Sequence, residues 1–169
     1  DEAAHLFHER LNPALFYRLG AYHTIIELLS PIFREGLDRL PSLSTYEQKS
    51  NQLGNLGNAL FHIGDYQLAL HLQTLKLKLD LDNAHPSNLL TSLFNITSTL
   101  RETGHLALFI HVLELASKLA QALEYPRALA LAHGKRLGLY VDTGQWENAT
   151  NTYQAFISLL PENLTIHHV

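Results

Sequence analysis

The residues best suited to chemistry in this chain are its 11 histidines. His5 and His8 lie three positions apart with Glu9 beside them, and a helix would bring both imidazoles to one face. Such a pair could supply two ligands to a zinc ion if a third came from elsewhere. An exposed face of an amphipathic helix explains the same pattern, and we prefer that interpretation. The other histidines have no recurring carboxylate or cysteine partner, so we expect no metal site.

A hydrolytic site needs a nucleophile, a base within reach and an orienting group. No Gly-x-Ser-x-Gly motif marks a reactive serine. The carboxylates, such as Asp65 and Glu147, fall near expected helix ends or turns, where capping and solvation explain them. Gly134-Lys135 lacks the partner glycine that a phosphate-binding loop needs. We therefore predict that the chain is not an enzyme and holds no cofactor.

Composition narrows the class of protein. Hydrophobic residues make up 46% of the 169 residues and charged residues 17%, as in a folded soluble protein. The 16 acidic residues outnumber the 12 basic ones, so nucleic acid is not an expected partner. No apolar run reaches the roughly 18 residues of a membrane span, and we expect no membrane partner. The absence of cysteine suits a reducing compartment, which predicts a cytoplasmic location.

Regular spacing is the strongest pattern in the sequence. Gly64, Gly104 and Gly144 stand 40 residues apart, as do Pro86 and Pro126. Each glycine is followed two positions later by a large apolar residue: Tyr66, Leu106 or Trp146. Prolines at helix starts and glycines at turns with a period of this size predict stacked helical pairs.

The repeat predicts the helices in order. We expect a degenerate first pair in residues 1–43, fuller repeats in 44–84, 85–124 and 125–160, and a tail in 161–169. Asn12-Pro13 should cap one helix and open the next, and Ser30-Pro31 should interrupt a helix that runs from Tyr22 to about Leu40. Ser44 and Glu47 should form a capping box. Residues 75–81 alternate like a strand, but the matching stretches of the later repeats favour a helix.

The stretch from residue 55 to 69 resembles the signature of the tetratricopeptide repeat. The residues that carry this resemblance are Asn55, Leu56, Gly57, Asn58, Ala59, Gly64, Asp65, Tyr66 and Ala69. It implies one all-α domain, a right-handed solenoid of antiparallel helix pairs. It also implies that Gly57 allows tight packing of the returning helix. The 40-residue repeat is similar to the sensor arrays of bacterial signalling ATPases of the STAND type, and the chain lacks methionine, so we expect a piece of a longer protein.

In this family the first helix of each pair lines a concave groove that binds a protein or peptide. The positions that the resemblance transfers to this groove are Asn51, Asn58, Phe61, His62, Thr91, Phe94, Ser98, Arg101, Glu102 and Asp142. The amides and Arg101 could hold a peptide backbone or carboxylate, with Phe61 and Phe94 as apolar anchors. A solvated groove explains each single residue equally well.

The resemblance therefore implies a sensor or scaffold segment of a larger bacterial signalling ATPase or regulator. An ATPase domain of the same parent chain would be a second partner. A free-standing adaptor protein is the alternative, and a helical repeat that binds nucleic acid is a further one, which the negative charge of the chain disfavours.

Overall fold

The structure is a computed structural model, and it describes residues 2–159. Every regular element in this range is helical. The elements are α1 (Glu2–Leu6), two π-helical turns (Phe7–Leu11 and Ala14–Leu19), α2 (Tyr22–Leu29), a 3-10 turn (Ser30–Ile32), α3 (Tyr46–His62), α4 (Tyr66–Asp82), α5 (Pro86–Glu102), α6 (Leu106–Ala122), α7 (Pro126–Asp142) and α8 (Trp146–Ser158). The predicted all-α class is confirmed for these residues. The predicted tail, 161–169, lies outside them.

The chain divides into two compact units, residues 1–109 and residues 110–169. In the first unit, consecutive helices pack against each other: α2 on α3, α3 on α4, and α4 on α5. Helix α4 therefore has α3 on one side and α5 on the other, and α3 also contacts α5 directly. In the second unit, α7 packs against α8.

The 40-residue period predicts the helix bounds well because each turn is built in the same way. Helices α3 to α7 have 17 residues each, and three-residue turns separate them. Gly64, Gly104 and Gly144 take the left-handed backbone conformation in alternate turns, with φ of 86°, 75° and 70°. Ala84 and Glu124 take it in the other two, with φ of 48° and 50°. The sequence analysis missed this role because neither residue is a glycine.

The N-terminal part departs from the predicted helix pair. Asn12 is not a cap, since its φ of −58° and ψ of −43° are helical. Its backbone N–H donates to the Phe7 carbonyl, five residues back, which gives a π-helical turn. A π-turn shifts the hydrogen-bonding pattern and so accommodates Pro13, which has no N–H to donate.

Two other expected boundaries also move. The helix from Tyr22 ends at Leu29 and does not resume after the 3-10 turn, because Pro31 removes a donor and Phe33 has left the helical conformation. The cap of α3 is Thr45, one residue after the predicted Ser44, and its Oγ1 accepts the Gln48 backbone N–H at 3.3 Å. By contrast, the alternating stretch 75–81 is helical, as predicted.

The core of the first unit forms where α2, α3 and α4 meet. Buried aliphatic and aromatic side chains fill it: Phe7, Ile25, Leu29, Phe33, Leu53, Leu56, Ala59, Leu60, Ala69 and Leu72. Gly57 faces this core, and a methyl group there would lie 3.5 Å from Gln73 Cγ and 3.6 Å from Leu72 Cβ, an ordinary contact. The tighter position is Gly54, where a methyl group would lie 3.3 Å from Lys76 Cε.

Candidate functional site

A cavity of about 210 Å³ in the first unit collects several of the predicted groove residues. Its lining comes from α3, α4, α5 and the second π-helical turn: Phe16, Asn58, Phe61, His62, Gln73, Asn95 and Ser98. Four of these seven residues were predicted from the sequence, namely Asn58, Phe61, His62 and Ser98. The sequence analysis missed Phe16, Gln73 and Asn95.

Helical spacing explains how the elements place these side chains. Asn58, Phe61 and His62 lie at i, i+3 and i+4 of α3 and therefore share one face. Asn95 and Ser98 lie three residues apart on α5 in the same way. Helix α4 contacts both α3 and α5, so its side chains can also line the cavity.

Gln73 is the residue that α4 contributes, and it is only 2% exposed. The Thr99 hydroxyl donates to Gln73 Oε1 at 2.8 Å, which fixes the orientation of the carboxamide. Among the described residues, no partner accepts a hydrogen bond from its amide nitrogen. This nitrogen is not among the solvent-inaccessible unpaired atoms of the described residues, so water or a ligand in the cavity can accept its hydrogen bond.

Two further carboxamides line the same cavity. The side chains of Asn58 and Asn95 are half-buried, and no residue of the described range forms a hydrogen bond with either amide group. Ser98 donates its hydroxyl to the Phe94 carbonyl at 3.2 Å. The cavity thus presents three carboxamides with hydrogen-bonding capacity to spare.

Aromatic rings form the other wall of the cavity. The His62 imidazole stacks on the Tyr22 ring at 4.5 Å with an interplanar angle of 9°. The rings of Phe16 and Phe61 meet the imidazole edge-on, at 5.1 and 5.3 Å. These contacts connect α3 to the π-helical turn and to α2.

His62 is exposed overall, but partial desolvation of its imidazole lowers the pKa below its usual value, which favours the neutral form at pH 7. None of the other lining residues is acidic or basic. The cavity is therefore uncharged at neutral pH, and it can stack against and hydrogen-bond to an uncharged group.

The remaining groove residues of α3 and α5 lie elsewhere. Asn51 is half-buried in α3, and Thr91 is exposed with its hydroxyl donating to the Ser87 carbonyl at 3.1 Å. Phe94, the second predicted apolar anchor, is only 6% exposed and does not line the 210 Å³ cavity.

The charged groove residues lie at helix ends. Arg101, which is half-buried, and the exposed Glu102 end α5. Asp142 is exposed and is the last residue of α7, in the second unit. None of the three lines the 210 Å³ cavity.

A buried ionic cluster begins one turn after Gln73 on α4, and the sequence did not predict it. Lys76 Nζ donates to Asp80 Oδ2 at 2.7 Å and to Ser92 Oγ at 3.0 Å. The Ser50 and Ser92 hydroxyls each donate to the Asp80 carboxylate at 2.7 Å. All four side chains are buried.

The hydroxyl of Tyr46 completes the cluster. It donates to Asp80 Oδ1 at 2.9 Å and accepts a hydrogen bond from Asn88 Nδ2 at 2.9 Å. Burial alone would raise the pKa of Asp80, but the hydrogen bonds from Lys76, Ser92 and Ser50 lower it overall. Because every member has a partner, the cluster explains its own residues and needs no ligand.

His8, one of the two candidate zinc ligands, takes part in another polar network. Its Nδ1 lies 3.2 Å from Asn55 Nδ2, and Asn55 also hydrogen-bonds with Asn12 and Gln52. The Gln52 amide donates to the Ala4 carbonyl at 2.8 Å. These bonds attach the N-terminal helical segment to α3.

A second cavity, of about 660 Å³, lies beside the loop that joins α2 to α3. Its lining is mixed in charge and polarity: Glu35, Asp38, Arg39, Leu40, Pro41, Ser42, Leu43, Lys49, His71 and Leu75. His71 Nε2 lies 2.8 Å from the Asp38 carbonyl oxygen, so this side chain already has a partner.

Within residues 2–159, no three histidine, aspartate or glutamate side chains come together in a way that could hold a metal ion. No helix in this part of the chain combines the length and apolar character needed to cross a membrane. Neither a protein-family profile, nor a curated protein, nor a solved structure matches the sequence.

Proposed function

We propose that this chain is a protein- or peptide-binding module of the tetratricopeptide type, and that its binding site includes the 210 Å³ cavity. The observation that carries the proposal is the amide nitrogen of the buried residue Gln73, which has no partner among the described residues and keeps solvent access in a cavity lined by two more carboxamides. Water in the cavity can accept this hydrogen bond, and a ligand that displaces the water gains affinity only if it supplies an acceptor in its place.

The aromatic wall supports the same function. Phe16 and Phe61 offer apolar surface beside the carboxamides, so one ligand could gain both burial and hydrogen bonds. Peptide-binding sites commonly combine apolar pockets with amide groups in this way.

The wider context of the proposal comes from the resemblance of residues 55–69 to the repeat signature and from the 40-residue period. We propose a right-handed solenoid of antiparallel helix pairs forming one domain, which acts in the cytoplasm without catalysing a reaction. It would be a sensor or scaffold segment of a larger bacterial signalling ATPase or regulator, whose ATPase domain is a second partner. A free-standing adaptor is the alternative, and the sequence that flanks this chain in its gene would distinguish the two.

A selection from a random peptide library displayed on phage tests the binding function. We expect the purified chain to enrich a peptide family, and we expect the double variant Asn58→Ala/Phe61→Ala to bind the selected synthetic peptides at least about tenfold more weakly. Thr74→Ala is the control, because Thr74 is exposed, belongs to α4 rather than to a groove-lining first helix, and does not line the cavity. Circular dichroism should show unchanged helicity in both variants.

Two results would contradict the proposal. One is the absence of any enriched peptide in repeated selections. The other is a selected peptide whose affinity for the Asn58→Ala/Phe61→Ala variant equals its affinity for the unmodified chain.

A further inference from the structure

We infer that the cavity takes a side-chain carboxamide, that of a glutamine or asparagine in the bound peptide. This inference rests on the proposed function, since it names the chemical group of the partner that enters the site. It depends on three properties of the lining, namely its charge, its hydrogen-bonding groups and its depth.

The absence of charge in the lining excludes charged side chains. Its polar members are carboxamides, a hydroxyl and the neutral imidazole of His62. A carboxylate or an ammonium group that entered would lose its hydration without gaining a charge of opposite sign. Aspartate, glutamate, lysine and arginine are therefore poor occupants.

The unpaired donor excludes apolar side chains. A leucine or phenylalanine in the cavity would displace water from the Gln73 amide nitrogen and put no acceptor in its place. Sites built to hydrogen-bond a ligand discriminate strongly against analogues that lack the bonding group, because the polar groups of the site are then left unpaired.

The geometry of Gln73 selects an acceptor on the ligand. Its Oε1 is already occupied by the Thr99 hydroxyl, so the side chain offers a donor to the cavity. Asn58 and Asn95 each have an oxygen that can accept and a nitrogen that can donate. A carboxamide supplies a planar acceptor and donor together, so it can bond to Gln73 through its oxygen and to an asparagine through its nitrogen.

The depth of Gln73 favours a side chain over the peptide backbone. Gln73 is 2% exposed and belongs to α4, which packs against both α3 and α5, whereas Asn58 and Asn95 are half-buried. The cavity has room for about seven water molecules at roughly 30 Å³ each, which is the scale of one long side chain. A main chain passing across the opening could reach the asparagines, whereas only a side chain extends to Gln73.

Nuclear magnetic resonance tests the inference directly, because side-chain amide groups of asparagine and glutamine give their own signals. The ¹⁵N-labelled chain is titrated with N-acetyl-glutamine-N-methylamide. The corresponding glutamate and leucine derivatives serve as charged and apolar comparators, and uracil as a heteroaromatic one. We expect saturable shifts of the Gln73 and Asn58 side-chain amide signals with the glutamine derivative, and binding at least about tenfold weaker with each comparator.

Two variants keep the test falsifiable. Gln73→Leu should abolish the response of the Asn58 signal to the glutamine derivative. Asn58→Leu, at a half-buried position, should weaken the response of the Gln73 signal, and it provides the test if Gln73→Leu folds poorly. Gln67→Leu is the control, because Gln67 is an exposed glutamine of the same helix and lies outside the cavity. Equal or tighter binding of the glutamate, leucine or uracil probe would overturn the inference, as would an unchanged response in both cavity variants.

The two proposals fail in different ways. Selected peptides that lack glutamine and asparagine, but still depend on Asn58 and Phe61, would overturn this inference and leave the proposed function intact. Binding of the glutamine derivative without any enriched peptide would confirm the chemistry of the cavity and contradict the proposed function.

Discussion

Lys76 and Asp80 lie one turn apart on α4, and their side chains form an ion pair of 2.7 Å that is almost completely buried. The positions 40 residues later in the sequence, Ala116 and Ala120, are buried as well. The equivalent positions of two successive repeats therefore hold an ion pair in one repeat and two alanines in the next.

Removing one member of this pair should destabilise the fold strongly. Lys76→Met leaves the Asp80 carboxylate buried without its counter-charge, which costs about 3–5 kcal/mol of unfolding free energy. Urea denaturation followed by circular dichroism measures it. Lys78→Met is the control, because Lys78 is an exposed lysine of the same helix and should change stability by less than about 0.5 kcal/mol.

The double variant Lys76→Met/Asp80→Leu should recover part of this loss, because it leaves no charge buried, although the buried hydroxyls of Ser50 and Ser92 lose their acceptor. Apolar residues of similar volume often replace a buried ion pair at little cost. The recovery would show that the cluster contributes specificity of packing more than stability. A double variant that is less stable than Lys76→Met would contradict this interpretation.

The loss of unfolding free energy at acid pH should depend on Asp80. Because the pKa of Asp80 in the folded state lies below its usual 3.8, the unfolded chain binds the proton more tightly. The carboxylate therefore contributes its full stabilisation above about pH 5, and the contribution is lost as the pH falls through the folded-state pKa. In urea denaturation, the unfolding free energy of the Lys76→Met/Asp80→Leu variant should change less between pH 5 and pH 2 than that of the unmodified chain. An equal change in both would refute the assignment to Asp80.

His62 should make the aromatic wall of the cavity sensitive to mild acid. Burial lowers the pKa of its imidazole below 6.5, so the unfolded state binds protons more readily and stability falls as the pH drops from about 7 through the folded-state pKa. His62→Phe keeps a ring against Tyr22 and should remove this component of the pH dependence. His111→Phe is the control, since His111 is an exposed histidine that does not line the cavity. The melting temperature, measured between pH 5 and pH 8, should depend less on pH in His62→Phe than in the unmodified chain. An equal pH dependence in the two would contradict the role of His62.

Gly54 and Gly57 should respond differently to alanine. Alanine in a helix is favoured over glycine by about 1 kcal/mol, and at Gly57 the added methyl group makes only ordinary contacts, so Gly57→Ala should stabilise by up to that amount. At Gly54 the methyl group would lie 3.3 Å from Lys76 Cε, and the ion pair holds that side chain in place, so Gly54→Ala should gain little or lose stability.

A double-mutant cycle checks the cause of this difference. In the Lys76→Met/Asp80→Leu background, where no ion pair holds residue 76, Gly54→Ala should become at least as favourable as Gly57→Ala. Denaturation curves of the variants provide the free energies. Identical effects of Gly54→Ala in both backgrounds would exclude contact with Lys76 as the reason.

The sequence predicts the helices from α3 onward closely because the 40-residue period gives each turn several independent markers. It fails at the N-terminus, where Asn12-Pro13 has the appearance of a helix boundary but π-helical hydrogen bonds continue through it. It also fails to identify Ala84 and Glu124 as left-handed turn residues. Their positions follow from the spacing of the turns, whereas their residue types do not indicate the conformation.

The candidate site was half predictable. The family resemblance transfers function only to the first helix of each pair, which finds Asn58 and His62 but cannot find Gln73 on α4. One available signal was a glutamine at a helical position beside the core residue Leu72, where packing would favour an apolar residue. Phe94 was predicted as an apolar anchor but lies outside the cavity lining, because spacing alone does not tell how deeply a ring is buried.

Gln73 has no counterpart in the following repeat, since Leu113 stands 40 residues later and is buried. A peptide anchored by a carboxamide would therefore find no equivalent donor at the corresponding position of the following repeat. The single position of Gln73 would thus fix where along the chain the ligand binds. The peptide residues before and after the carboxamide would then always contact the same residues of the helices.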